Sequence, residues 1–221
     1  MAFEPAARYE WDPTGPRSDA FQVVYNTGEA RPFDRAVPVC FESSWDGADH
    51  AWEDIEDPGA INVTEADSVD VDELIRERWW DPEDDLDGFW QGAPLWDELT
   101  PPSSSPRASI PEPFGPLRVV WVEAQRPADI PGVLGWPLPV DLVDLTAVLR
   151  SWEDRFGAHV AVLGGGVLWL IVERPPTDRT RLERLACEIA AICPNAAGQC
   201  GSFAGFVDTL AASNLWELFW D

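Results

Sequence analysis

Residues 145–172 read LTAVLRSWEDRFGAHVAVLGGGVLWLIV, and this stretch decides the fold. Its first half places apolar side chains on one helical face, at Leu145, Val148, Leu149, Trp152 and Phe156. This spacing predicts an amphipathic helix that begins near Asp141 or Asp144 and ends at Gly157, a residue suited to left-handed helix termini. The second half is two apolar runs joined by three glycines, which predicts a β-hairpin over residues 159–173.

The sequence on either side extends this pattern. A β-branched and aromatic run at 117–124 predicts a buried strand. One helical stripe follows Thr177 or Asp178, either of which can cap it, and another follows Ser202. Residues 215–220 predict a last strand. The order β-α-β-β-α-α-β predicts an α+β domain over residues 117–221, with a largely antiparallel sheet and helices packed on one face.

The first half of the chain has a different composition. Residues 1–99 form an acidic, Trp-rich region that we expect to be partly irregular, with a strand at Phe21–Tyr25 and a helix over Val71–Trp80. Residues 100–116 are rich in Pro and Ser, which predicts a linker or a long surface loop.

The charge of the chain is strongly negative and unevenly distributed. The 221 residues carry 40 acids against 15 Lys and Arg, and residues 45–100 hold 19 of the acids and only two arginines. This balance excludes a protein that binds nucleic acid by neutralising phosphates, and it argues against docking on an anionic membrane. No apolar run reaches the ~20 residues of a membrane span, and the N-terminal sequence lacks a signal-peptide pattern. We therefore expect a cytoplasmic protein without membrane or nucleic-acid partners.

Several short runs of the C-terminal half resemble a known family. The run Leu149–Ala158, then Pro175-Pro176, Cys193-Pro194 and the terminal Trp220-Asp221, is similar to the bacterial domain-of-unknown-function family 4253, over roughly residues 132–221. The resemblance implies where the folded domain is bounded, but it implies no enzymatic reaction. Many relatives carry His and Asp at the positions of Ile189 and Asn195, so a metal-binding or proton-transfer role of those positions would be lost here.

Neither the histidines nor the cysteines indicate a catalytic site. His50 lies among carboxylates in a predicted loop and His159 opens a predicted strand, where structural or exposed roles are the usual ones. The gaps between Cys187, Cys193 and Cys200 fit no common zinc site. We therefore predict no catalytic residue and no cofactor, although the sequence leaves enzymatic activity open.

One acidic run superficially resembles a calcium-binding loop. Residues 83–88 place carboxylates at the first, third and fifth positions of an EF-hand-like loop and Gly88 at the sixth. Pro94 stands where the bidentate Glu of such a loop is required. We therefore predict a solvated acidic loop and no specific metal site.

Two function classes remain, of which the first is an interaction protein. Tryptophans and carboxylates alternate in the acidic region, a composition suited to binding a basic protein, as an immunity protein or antitoxin does. DNA mimicry is a weaker version of the same idea. The predicted partner-binding residues are Trp79, Trp80, Asp84, Asp85, Asp87 and Trp90.

The second class is a small-ligand-binding protein or an enzyme. Arginine can hold a carboxylate or phosphate through two parallel hydrogen bonds, and the α+β domain has suitable polar residues. The predicted pocket residues are Arg150, Glu153, Arg155, Glu188 and Gln199. The competing interpretation is an ion pair between Arg150 and Asp154 on the exposed face of the helix.

Overall fold

The fold was analysed in a computed structural model, which describes residues 9–12, 35–42, 60–78, 93–94, 99, 117–136, 138–164 and 166–220. These residues form one six-stranded sheet and a set of helices, so the predicted α+β class is confirmed. The strand predicted at Phe21–Tyr25 and the linker predicted at 100–116 lie outside the described residues.

Six strands make up the sheet: β1 (Tyr9–Asp12), β2 (Ala36–Glu42), β3 (Leu117–Glu123), β4 (Ala158–Gly164), β5 (Val167–Val172) and β6 (Leu215–Phe219). Their order across the sheet is β1-β3-β2-β4-β5-β6. β2 and β4 run parallel, with Cys40 opposite Val162, and the other neighbouring pairs are antiparallel. The predicted hairpin is confirmed as the β4–β5 pair, and the sheet is largely antiparallel as predicted.

Two segments of the N-terminal region belong to this sheet. β1 and β2 both pair with β3, and β2 lies between β3 and β4. Strands from residues 9–42 therefore share their hydrogen bonding with strands from residues 117–219. The domain boundaries at residues 99 and 117 stay predictions.

The helices are α1 (Val71–Arg78), α2 (Ile130–Leu134), α3 (Leu142–Phe156), α4 (Arg179–Ile192), α5 (Pro194–Gly198) and α6 (Phe203–Ala212), with 3₁₀ turns at Val63–Ser68 and Pro127–Asp129. The helices predicted from periodicity are present as α1, α3, α4 and α6. α2 and α5 were not predicted, because five residues are too few for a periodic pattern to be visible. No helix within the described ranges is long and apolar enough to cross a bilayer.

Both ends of α3 are set by the residues that the sequence suggested. The Asp141 side chain accepts hydrogen bonds from the backbone N–H groups of Val143 and Asp144, at 2.8 and 3.1 Å. Gly157 has φ +62°, and its N–H donates to the carbonyl of Glu153. This left-handed residue ends the helix and turns the chain directly into β4.

Apolar side chains lie on both faces of the sheet. The larger cluster joins buried strand residues such as Val120, Leu170 and Leu218 to the apolar faces of the helices. The smaller cluster is made of Cys40, Ala161, Val162, Trp169 and Ile171. All helical side chains that the structure describes in these clusters belong to the larger one, so α3 and its charged residues lie over a single face.

Candidate functional site

The charged residues of α3 contact two different neighbours. Arg150, Glu153 and Asp154 contact the turn at 126–129, whereas Arg155 contacts α4. Four of the five predicted pocket residues are therefore divided between two separate groups of hydrogen bonds.

Arg150 is bonded to two carboxylates that lie outside α3. Its Nε donates to Asp129 Oδ1 at 2.7 Å, and its Nη1 donates to Asp67 Oδ1 at 2.6 Å. Asp129 is fully buried, and Asp67 is exposed. Arg150 thus forms ion pairs with Asp67 and Asp129, and the alternative pair with Asp154 does not describe these contacts.

Arg126 fastens the turn after β3 to α3. Its Nε donates to Glu153 Oε2 at 3.1 Å, and its Nη2 donates to Asp154 Oδ1 at 2.5 Å. The backbone N–H of Ala128 also donates to Glu153 Oε2, at 3.1 Å. Burial alone would lower the pKa of Arg126, but the two carboxylates raise it above its ordinary value. Arg126 therefore remains charged and serves as a structural clamp.

The second group surrounds one buried carboxylate, and we call it the Glu188 network: Glu188, Arg155, Arg184 and Trp152. Arg155 donates to both oxygens of Glu188, at 3.1 and 2.5 Å. Arg184 Nε donates to Oε1 at 2.9 Å, and Trp152 Nε1 donates to Oε2 at 2.8 Å. Each oxygen thus accepts two hydrogen bonds, which is the condition under which a buried charge is tolerated.

The electrostatics of the Glu188 network favour the ionised carboxylate. Burial alone would raise the pKa of Glu188, but Arg155 outweighs it, and the hydrogen bonds from Trp152 and Arg184 act in the same direction. The pKa of Glu188 is therefore lowered below its ordinary value. A carboxylate held in this state does not serve as a proton donor near neutral pH.

Helix α1 reaches the same region from the N-terminal half of the chain. Asp72 forms an ion pair with Arg184 of α4, and Arg78 forms one with Asp144 of α3. Ile75 lies between these positions on α1, and its side chain is fully buried in the larger apolar cluster. α1 therefore spans α3 and α4 with two ion pairs and an apolar side formed by Ile75 and the partly buried Val71 and Leu74.

The other predicted site residues lie elsewhere. Gln199 is exposed in the turn after α5 and makes none of the hydrogen bonds of the Glu188 network. The predicted partner-binding residues at 79–90 lie outside the described residues. The prediction of a ligand pocket and the prediction of a partner-binding surface both stay predictions.

A group of aromatic rings adjoins the Glu188 network through Trp152. The Trp152 and Trp216 rings meet edge to face with centroids 6.2 Å apart, and Phe156 meets Trp216 at 5.6 Å. All three side chains are buried. Trp152 donates its indole N–H to Glu188, whereas the indole N–H of Trp216 is buried without a hydrogen-bond partner. The aromatic packing therefore positions the Trp152 indole, whose N–H donates to Glu188.

Two of the cysteines, Cys187 and Cys193, are buried in the larger apolar cluster. Burial raises the pKa of the Cys193 thiol to about 11, and its Sγ lies 2.9 Å from the carbonyl oxygen and 3.1 Å from the amide nitrogen of Phe219. Burial also raises the pKa of Cys187. Among the residues that the structure describes, no three His, Cys, Asp or Glu side chains lie together as metal ligands would. The calcium-like run at 83–88 lies outside those residues, as does His50.

Sequence reasoning missed several residues of these groups. Arg126 and Asp129 lie in a Pro/Gly-rich passage without periodicity, and Asp67 and Asp72 are distant in sequence from their partners. The spacing of Arg184 and Glu188, four residues apart on a predicted helix, was the one local signal available.

Comparison with known families covers the part of the chain that carries both groups of hydrogen bonds. Residues 118–221 match the model of the family described as a domain of unknown function (DUF4253). This matched part of the chain, residues 118–221, is similar to that family and is called the DUF4253 domain. The match confirms the resemblance noted from sequence and extends it upstream from about residue 132 to include β3. Searches of curated proteins and of solved structures found no match.

Proposed function

We propose that the protein is an interaction module that binds a basic partner protein through an acidic, Trp-rich surface, as an immunity protein or antitoxin binds a basic enzyme. Exposed carboxylates accelerate the approach of a cationic partner, and tryptophans supply the anchors that carry most of the binding energy. The predicted anchors at 79–90 follow directly after α1 in the chain. A cytoplasmic location is part of the same proposal.

The observation that carries the proposal is an asymmetry in the ion pairs around α3. In three of these pairs the arginine side chain is mostly buried while the side chain of its carboxylate partner is largely exposed. The exposed fractions of the side chains are 12% and 72% for Arg150 and Asp67, 8% and 60% for Arg184 and Asp72, and 28% and 69% for Arg126 and Asp154. Because the carboxylates are the outer members, this surface presents negative charge even though each pair is formally neutral.

The segment 62–78 strengthens the same surface. Glu65, Asp70, Glu73 and Glu77 are exposed there, on the same segment as Asp67 and Asp72, the outer carboxylates of two of the ion pairs. The 3₁₀ turn and α1 hold these carboxylates in a defined array while α1 is packed on α3 and α4, and an ordered array loses less conformational entropy on binding than a flexible tail does. The described surface is therefore suited to a partner with a complementary basic patch.

The test begins with the native host. The full-length chain is used as bait, candidate partners include the products of adjacent genes, and each captured protein is then purified for binding measurements. We expect a basic protein whose affinity falls steeply with salt. Changing Trp79, Trp80 and Trp90 together to Ala, or Asp84, Asp85 and Asp87 together to Asn, is expected to weaken binding at least tenfold.

The matched control is Asp208→Asn, which removes an exposed carboxylate on α6 that pairs with Arg179. This variant is expected to bind the partner as the unchanged protein does. Recovery of no basic partner, or equal losses in the control and in both test variants, would contradict the proposed function.

A small-ligand pocket near Arg150 and Arg155 is the second candidate. It requires these guanidinium groups to release carboxylates that they already hold, Asp129 and Asp67 for Arg150 and Glu188 for Arg155. The described contacts therefore favour the interaction module. A rise in melting temperature with phosphate or citrate that Arg150→Gln abolishes would reverse this preference.

A further inference from the structure

We propose that the groove between α3 and α4 is a docking site for an acidic helix, and that α1 is a tethered occupant that a similar helix in trans can replace. This site adjoins the proposed acidic surface and shares Asp72 with it. The acidic surface is the outer side of the segment 62–78, whereas the groove lies beneath α1 and is formed by the DUF4253 domain.

Three side chains of α1 at three-residue intervals make its two ion pairs and its fully buried contact, and the partly buried Val71 and Leu74 pack against the same apolar cluster. Asp72 bonds to Arg184, the side chain of Ile75 is buried in the larger apolar cluster, and Arg78 bonds to Asp144. Residues three apart on a helix are neighbours on its surface, so these contacts lie along one face. The groove thus recognises a carboxylate, an aliphatic side chain and a guanidinium in that order.

The two charged residues of the groove belong to the DUF4253 domain, whereas the helix that occupies the groove, α1, lies outside that domain. Arg184 and Asp144 lie within residues 118–221, the matched region, whereas α1 ends at residue 78. α1 packs against both α3 and α4. An amphipathic helix laid into a groove between two helices is a common mode of peptide recognition. The DUF4253 domain is therefore a receptor for a helix that another part of the chain supplies.

The occupant is suited to exchange. α1 has only eight residues, and Ile75 is its one fully buried side chain. Helices this short are marginal without tertiary contacts, so α1 is ordered chiefly by the groove. The carboxylate of Asp72 is 60% exposed and can be reached by a competitor. A partner helix that repeats the order Asp, Ile and Arg at three-residue intervals would make the same contacts.

The test uses a fluorescent peptide of residues 60–78 and the full-length chain. In the chain, Asp72→Ala and Arg78→Ala together weaken the tethered helix and leave Arg184 and Asp144 intact. Because a tethered occupant hides part of the groove, the apparent dissociation constant rises as the open fraction falls. We expect the double variant to bind the peptide about tenfold more tightly than the unchanged chain in fluorescence anisotropy.

Two controls match this experiment. The chain with Arg179→Ala and Asp208→Ala loses an exposed ion pair between α4 and α6 and is expected to bind the peptide as the unchanged chain does. A peptide with both Asp72 and Arg78 changed to Ala is expected to lose binding. Equal binding to all chains, binding of the altered peptide, or no binding at all overturns the proposal.

Hydrogen exchange on the unchanged protein provides a second measurement that does not depend on the folding of a variant. The amides of α1 are expected to exchange through a local opening, faster than those of α3 and α4. Exchange of α1 only with global unfolding overturns the proposal. The probe is acidic, so failure here leaves the binding of a basic partner by the outer surface as a separate result.

Discussion

Arg155 donates from its two terminal nitrogens to the two oxygens of Glu188, at 3.1 and 2.5 Å. The same carboxylate accepts from Arg184 and Trp152, so one buried anion satisfies donors from α3 and α4 together. The network connects the two helices that form the proposed groove. Its stability is therefore expected to depend on Glu188 far more than on any exposed carboxylate.

Replacement of Glu188 by Gln is expected to lower the free energy of unfolding by about 3–5 kcal/mol, because two largely covered guanidinium groups lose their common anion. Urea denaturation measures this change. Glu183→Gln is the control, since Glu183 lies on the same helix and pairs with the half-exposed Arg179. The control is expected to lose at most about 1 kcal/mol. Similar losses in both variants would show that the Glu188 network contributes no special stability.

A comparison of Trp152 and Trp216 variants separates the contribution of the Trp152–Glu188 hydrogen bond to stability from that of aromatic packing. Both tryptophans are buried, but only the Trp152 indole N–H has a partner, Glu188. Trp152→Phe is expected to lose about 1.5–3 kcal/mol more than Trp216→Phe, the range for hydrogen bonds to charged groups. Thermal and urea unfolding measure both variants. A larger loss for Trp216→Phe would mean that ring packing dominates.

The pH dependence of stability follows from the lowered pKa of Glu188. A carboxyl group whose folded-state pKa lies below its ordinary value of 4.5 stabilises the protein fully above that value. Its contribution is lost progressively as pH falls from 4.5 through the folded-state pKa. Urea unfolding between pH 3 and 7 is expected to show a smaller loss on acidification for Glu188→Gln than for the unchanged protein. Parallel curves would contradict this assignment.

Asp144 is expected to give a pH dependence of stability opposite in sign to that of Glu188. Its pKa is raised by burial, which outweighs the nearby Arg78. The folded protein therefore binds this proton more tightly than the unfolded chain, and the group favours folding less as pH rises through its titration. The stability difference between Asp144→Asn and the unchanged protein is expected to shift in favour of the variant as pH rises from 3 to 6. A shift in the other direction would show that the pair with Arg78 dominates.

Thiol reactivity is expected to distinguish one of the four cysteines. Cys40, Cys187 and Cys193 are fully buried, and burial raises the pKa of Cys40 to about 12. Cys200 is only partly buried. At pH 8 a disulfide reagent is expected to modify Cys200 first, and the other three only after denaturant is added. Cys200→Ser is the control, and rapid modification of that variant would contradict the buried positions.

The turn from α3 to β4 depends on Gly157. Its φ of +62° is unfavourable for other residues, and an added Cβ would lie 3.1 Å from Glu173 Cβ. Gly157→Ala is expected to cost about 1–2 kcal/mol in unfolding free energy. Gly198→Ala is the control, since no atom lies within 4 Å of its added Cβ. Equal effects would indicate that α3 can end without a left-handed residue.

The sequence predicted the elements whose signals are local. α3 and the β4–β5 hairpin follow from helical spacing, from Gly157 and from the three glycines. β2 was not predicted, because Pro38 interrupts a short apolar run and proline is uncommon inside sheets. Its place between β3 and β4 depends on contacts distant in sequence, which no local pattern records.

The site could be predicted only in part, for a similar reason. Arg150, Glu153, Arg155 and Glu188 were selected as polar residues on recognisable helices. Their partners include Asp129, in an aperiodic turn, and Asp72, which lies 112 positions from Arg184. Residue type and spacing therefore indicated which side chains are important, but not that they bond to one another and to the N-terminal segment.

The central position of β2 has a consequence for protein synthesis. Cys40 lies opposite Val162 in the finished sheet, so the first of these strands leaves the ribosome long before its parallel neighbour exists. Until then the apolar side chains of Val37 and Val39 and both edges of the strand lack their final partners. The sheet therefore cannot be completed around β2 until β4 has emerged, so the order of synthesis leaves the central strand exposed for most of translation.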